Sequence, residues 1–299
     1  MKGKIFAITL LFCLVATNFV MARGLKKTVA VFEFENDSGF TTWAKMGEDF
    51  SDQLTDSLLQ SGRFIVLSRR DLDVVMAEQD LANSNRFAKA KAAQTGKIVP
   101  AQILVKGKIT DFEENTSGSG QGLSIKGISI GTKSSAVNIG VIVQLIDSTT
   151  GEVLASKRID GEARSGGLSL GYSGSWDFGS SNFKKTPVGK AVQMAIDRAV
   201  VYIAKQLSSV PWSAKVIMVK DGTIFINAGA NAGVNSGDTF SLYSEGEALI
   251  DPDTGMNLGS DRKQLGMIVI SSVQEKFSKA TPSGFSVDQV SKGDVVLKN

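Results

Sequence analysis

The chain has 299 residues, with 33 Lys and Arg against 30 Asp and Glu, no histidine and one cysteine, Cys13. The lack of histidine removes the Ser-His-Asp triad and imidazole zinc sites, and a lone cysteine builds no disulfide framework. A net charge of +3 with no basic stripe gives nucleic acid no electrostatic hold. Carboxylate or lysine chemistry is the catalytic route left, and binding or assembly is favoured over an enzyme.

In chain order, Lys2 and Lys4 precede a largely apolar run from Ile5 to Val20, and Val20-Met21-Ala22 closes it with residues suited to signal-peptidase cleavage. Residues 1–22 are expected to be a secretory signal cut after Ala22. The run is shorter than the roughly 20 residues of a spanning helix. Cys13 follows Leu11 and Phe12 rather than the small residues of a lipid-attachment site. Cleavage leaves a chain without Cys or His, and the expected location is the periplasm or the outer-membrane-bounded envelope.

Thr28 to Phe34 reads as a buried first strand, closed by Asn36-Asp37-Ser38-Gly39. A helix is predicted over 44–60, with Met46, Phe50, Leu54 and Leu58 on one face. A strand at 63–67 precedes a second amphipathic helix at 71–82, whose inner side carries Leu72, Val75, Met76 and Gln79. A third helix is expected at 87–96. Strands follow at 101–109, 137–146 and 153–159, and a strong helix runs from Pro187 to Leu207, with Thr186 as N-cap and Pro187 in the first helical position. This order predicts an α/β (α+β) domain over residues 23–209. Past Pro211 the chain breaks into short strands between Gly and Asp turns (214–219, 223–227, 239–243, 266–273 and 295–297). These predict a small all-β, barrel-like domain over 210–299.

The run "VAVFEFENDSG" and then "SDQLTDSLLQSGRFIVLSRRDLDVVMAEQ" resembles the CsgG family of curli-secretion proteins. So do "ILVKGKITDFE" and "VIVQLIDSTTGEVLAS", in the family's order, over residues 27 to 208. The later "GANAGVNSGDTF" and "DPDTGMNLG" are similar to the C-terminal domain of FlgT-type flagellar-assembly proteins. The resemblance implies a periplasmic domain that forms a homo-oligomeric ring, of about nine subunits on the family pattern. Each subunit of the channel relatives adds two β-hairpins to a shared outer-membrane barrel that passes unfolded polypeptide. Those relatives carry a lipid anchor, and the residues around Cys13 depart from that pattern. The alternative is a soluble periplasmic adaptor that binds a cell-wall, envelope or flagellar partner.

Two segments have the patterning such hairpins need. In 117–146, Leu123 and Ile125 alternate in one phase and Ile128 and Ile130 in the other, with a bulge at Lys126-Gly127 to restore facing and a turn at 132–135. The returning arm alternates from Val137 to Leu145. In 164–184, Leu168, Leu170, Tyr172, Trp176 and Phe178 share one parity, with Ser and Gly largely between them. Each arm of the first hairpin is about ten residues, the length of a tilted bilayer-crossing strand. These nine apolar residues are the candidate membrane-facing set, although alternation of this length also describes half-buried strands of soluble sheets. The resemblance further implies a pore constriction between the first strand and first helix, where Trp43, Asp49 and Phe50 are the candidates; Asp stands where the relatives carry Asn, and Phe50 reads first as a core residue of its helix.

No cofactor or metal is called for. The Gly229, Gly233 and Gly237 spacing lacks the Gly-Lys-Ser/Thr of a phosphate loop, and Asp251-Pro-Asp253 lacks a calcium loop's downstream glutamate and reads as a turn.

Overall fold

The computed structural model describes residues 24–41, 43–83, 99–118, 123–125, 128–130, 132–168, 183–255 and 257–298. The expected signal over 1–22, the expected helix at 87–96, and Leu170, Tyr172, Trp176 and Phe178 lie outside them.

The first sheet is mixed. Strands β1 (Lys27–Val31), β3 (Phe64–Ser68), β4 (Ile103–Gly118), β7 (Thr132–Asp147) and β8 (Val153–Leu168) are ordered β3-β1-β4-β7-β8, and the short β2 (Glu35–Asn36) also joins β4. The β3, β1 and β4 pairs are parallel, and the β4, β7 and β8 pairs are antiparallel. Between β4 and β7, β5 (Leu123–Ile125) and β6 (Ile128–Ile130) pair with each other. Helices α1 (Met46–Gln60) and α3 (Pro187–Ser209) lie side by side on one face, α1 over β1 and β3, α3 over β7 and β8. The seam between sheet and helices is the main core: Val137, Ile139, Val141, Val143 and Leu145 of β7 face Met46, Phe50, Leu54, Ile196 and Ile203.

The sequence dictates these contacts through its two periodicities. Odd-numbered apolar residues of β7 fall on the covered face, and the four-residue apolar spacing of α1 makes one stripe. α3 starts where its chemistry directs. Thr186 is extended, its hydroxyl accepts from Gly189 N at 3.0 Å, and Pro187 occupies the first turn. Thr186→Ala is expected to lower stability by about 1 kcal/mol, read as a shift in urea midpoint at unchanged slope.

Helix α2 (Leu72–Asn83) departs from its expected burial. Gln79 and Ala82 are buried, but Val75 is 44% and Met76 48% exposed. The first strand is also interrupted: after Phe32 N donates to Val105 O at 2.9 Å the chain leaves the ladder, and Phe34 turns its ring into the core.

After α3 the chain forms a closed barrel of six strands in the order β10-β13-β12-β11-β14-β9. They are β9 (Ser213–Lys220), β10 (Thr223–Ile226), β11 (Thr239–Ile250), β12 (Asn257–Val273), β13 (Ser278–Ser283) and β14 (Val295–Leu297). Asp221 and Gly222, both at positive φ, make the two-residue turn between β9 and β10, the Asp-Gly hairpin loop that matches strand twist. The barrel core centres on Phe240, stacked on Trp212 at 5.1 Å. It is joined to the first sheet directly: Leu25 and Ile65 pack against the barrel core, Lys26 N donates to Ala232 O at 2.9 Å, and Gln102 Nε2 donates to Ser213 O at 3.2 Å. Beyond the barrel wall, residues 244–250 and 257–265 of β11 and β12 form an arm. In its turn the Asp251 carboxylate accepts from Thr254 N and then Asp253 N, which holds that group below its usual pKa.

Candidate functional site: the ladder beyond the core

Strands β4, β7 and β8 each have 16 residues, about 53 Å of extended chain. Helix α3, about 35 Å long, covers the ladder near its base. Among the residues whose burial is described, the last buried positions are Phe112, Val137 and Ile139, with Ala163 half-buried, and Phe40 closes over Phe112 at 4.4 Å. Beyond them Glu113, Glu114 and Asn115 are exposed, yet the pairing continues unbroken to Gly118↔Lys133 and Thr132↔Leu168.

The turn expected at 132–135 is therefore corrected. Those residues lie inside β7: Lys133, Ser134 and Ser135 pair on one side with Gly118, Ser117 and Thr116, and all four pair on the other with Ser165–Leu168. The hydroxyl-rich sequence suggests a loop, but ladder hydrogen bonds need only backbone. Lys126 and Gly127, where a bulge is expected, lie outside the described residues; the strands on either side of them are antiparallel partners, Leu123 with Ile130 and Ile125 with Ile128.

At the edge of the covered region a charge clip ties the three strands together. A shift in register between Ile109 and Asp111 turns Asp111 onto the face away from the helices. Arg158 of β8 crosses β7 at Gly140 and reaches Asp111 of β4 at 2.6 Å, while its Nε donates to Asp160 at 2.9 Å. Gly140 makes the crossing possible, since a methyl there would lie 2.4 Å from Arg158 Nη2 and 2.7 Å from Asp111 Oδ2. The Thr110 hydroxyl, donating at 2.6 Å, and then Arg158 hold the Asp111 carboxyl below its usual pKa. On the other face α3 rests directly on β8 at Gly161. Neither glycine was marked as functional by sequence reading. The available signal was a Gly inside an alternating strand, as in "VNIGVIV" and "RIDGEAR", which marks close approach of another chain segment.

The candidate constriction residues sit elsewhere. Phe50 is 1% exposed, 5.1 Å from the Phe34 ring, and Trp43 is 5% exposed, edge-on to Phe183 at 5.7 Å. Trp43 Nε1 donates to Asp49 at 2.7 Å. The three are thus brought together at the start of α1, but the two rings are spent in packing and present almost no surface to a lumen. Ser51 fixes this corner, accepting from Phe34 N at 2.8 Å and donating to Gly47 O at 2.7 Å.

Among the described residues no group of three or more Cys, Asp or Glu is placed to hold a metal, and no helix is long and apolar enough to cross a membrane.

The family model described as curli production assembly/transport component CsgG matches residues 20–236, and that of the flagellar assembly protein T C-terminal domain matches 221–298. Direct comparison with curated proteins gave no match. Similar solved structures include the hypothetical protein CT253 from Chlamydia trachomatis, at 17% identity and a TM-score of 0.39, covering 61% of this chain and 98% of that one. The PelC dodecamer from Paraburkholderia phytofirmans is 15% identical with a TM-score of 0.27 over 61% of this chain and 87% of its own. Lipoprotein GNA1162 from Neisseria meningitidis is 16% identical with a TM-score of 0.26, over 60% and 99%.

Proposed function

Since this chain belongs to the CsgG family of curli production assembly/transport components, we propose that it forms a homo-oligomeric ring at the outer membrane and passes unfolded polypeptide through a shared β-barrel. The observation that carries the reading is the ladder. Three paired strands run on past Phe112, Val137 and the exposed Glu113, Glu114 and Asn115, up to the segments 119–131 and 169–182. Strands projecting from a core without helical cover need another surface to satisfy them, and a closed barrel shared between copies supplies one without free edges. Leu123, Ile125, Ile128, Ile130, Leu168, Leu170, Tyr172, Trp176 and Phe178 would face the bilayer, and Ser and Gly between them the lumen. Passage would be diffusive, driven by no nucleotide. Trp43, Asp49 and Phe50 have no part in this reading.

The test replaces residues 119–132 with Asn-Gly, which rejoins the Gly118–Lys133 pair through a two-residue loop. The unaltered chain is expected in the outer-membrane fraction as a detergent-resistant oligomer that makes vesicles leaky to small solutes. The shortened chain is expected to keep its far-UV circular dichroism and lose vesicle leakage. An unaltered chain that stays soluble and monomeric sinks the channel reading. That result favours a periplasmic adaptor, a reading supported by the flagellar-assembly-type match over the barrel.

A further inference from the structure

The two ends of the first sheet carry opposite charge. At the β3 end, the flank of α1 turned away from α3 borders a groove of about 310 Å³ that holds Glu33, Glu48, Asp52, Asp56 and Asp71 against one cation, Arg70. Helix α1 has four acidic residues and no basic one. Arg70 is already taken, bonded to Glu48 at 3.1 Å and Asp52 at 2.8 Å. Glu33 and Asp56 are exposed, and Leu59 beside them is 59% exposed.

At the β8 end, the flank of α3 turned away from α1 forms a groove of about 600 Å³ against β8, the last strand of the sheet among the described residues. Lys157, Arg158, Arg198 and Lys205 line it with two acids, Asp160 and Asp197. Arg158 is bound to Asp111 and Asp160, and Arg198 donates to the Asp160 carbonyl. Lys157, which stands over the Tyr202 ring, and Lys205 are exposed as well, around Val201, which is 67% exposed. Each flank thus offers one bare aliphatic residue within a patch of charge, negative on α1 and positive on α3.

The geometry points to a second copy of this chain as the occupant of each groove, joined head to tail, the α1 flank of one copy seated in the α3–β8 groove of the next. This rests on the ring reading and names its contact surface. A two-fold dimer through either flank would set like charges face to face, which is repulsive. Joining unlike flanks instead satisfies both. Four strand spacings, about 19 Å, separate them, so every added copy exposes a fresh flank and the contact repeats until the ring closes.

The experiment uses the full chain and two double variants, E33K/D56K on the acidic flank and K157E/K205E on the basic one. All four positions are exposed, and Asp52 and Arg198 are left to their structural bonds. Each variant alone is expected to be monomeric by light scattering, with its self-association weakened on the order of 100-fold or more. An equimolar mixture is expected to assemble, because each variant then finds the opposite charge on its partner. Raising salt to about 1 M, where the screening length falls to about 3 Å, should dissociate the unaltered oligomer. If either variant assembles alone like the unaltered chain, or the mixture stays monomeric while both variants melt normally, this contact is wrong and the ring reading survives. A monomeric unaltered chain removes both. Should a reversal variant lose its cooperative melt, E33Q/D56N and K157Q/K205Q replace the pair. An unchanged salt dependence in these neutral variants overturns the contact, and a flattened one supports it.

Discussion

Phe50→Ala is expected to destabilise the chain by about 3–5 kcal/mol, measured as a fall in the denaturant midpoint of the first sheet. The ring is 1% exposed, lies 5.1 Å from Phe34, and sits between Met46 and Leu54 on the buried stripe of α1. Its removal leaves a void that the surroundings cannot fill. The Phe34 backbone is pinned by Ser51, and Gly47 packs so closely that a methyl there would lie 1.8 Å from Phe34 O. Phe50→Leu retains most of the volume and should lose less than about 1.5 kcal/mol. The outcome separates two roles. A ring exposed in a channel could be truncated with a stability change within about 0.5 kcal/mol, and the loss would appear in conductance instead. A large fall in midpoint ties Phe50 to the core.

The same corner shows how far the sequence could be read. The four-residue spacing of Met46, Phe50, Leu54 and Leu58 predicts the buried stripe of α1, and the alternation from Val137 to Leu145 predicts the covered face of β7, because both depend on one local period. The capping residue and proline at Thr186-Pro187 place the start of α3 correctly for the same reason. What was not legible depends on partners distant in sequence. Glu113 to Gly118 is polar and carries no strand pattern; it is a strand because β7 supplies its hydrogen bonds, after a bulge at Thr110-Asp111 has shifted the parity. Ser278–Ser283, with Pro282 inside, is a barrel strand through its β10 and β12 neighbours and was missed. Helix α2 fails in the other direction. Its period is real, but Val75 and Met76 stay half-exposed, since amphipathic spacing marks a face and does not provide a surface to cover it. In the candidate site, the alternation within Leu123–Ile125 and within Ile128–Ile130 was readable, and the antiparallel pairing of the two segments was not. The clip of Asp111, Arg158 and Asp160 joins residues up to 49 apart in the chain, and no local pattern announces it.

Two glycines on neighbouring strands make the sharpest contrast in what the ladder tolerates. Gly161→Val should cost about 3 kcal/mol, the upper end of typical overpacking penalties. A methyl at Gly161 would lie 2.1 Å from Ala191 O and 2.9 Å from Ala195 N, and both are helix backbone. α3 presents Ala191, Ala195 and Ala199, all fully buried, so the helix runs against β8 with no side-chain end that can swing aside. The only relief is to lift α3 off the strand, which also loosens Ile196 and Ile203 in the core. Gly140→Val meets a different obstacle on the opposite face: the guanidinium of Arg158 and the carboxylate of Asp111, both ends of flexible side chains. They can part, and the loss is that of exposed ion pairs, about 0–1 kcal/mol. Thermal melts of the two variants should therefore differ widely although both add the same side chain to one sheet. Equal losses would mean that the sheet, and not the α3 contact, sets the penalty. If the ladder is held at its base by α3, Gly161→Val should also reduce recovery of the oligomer from membranes, while Gly140→Val should leave it near the unaltered level.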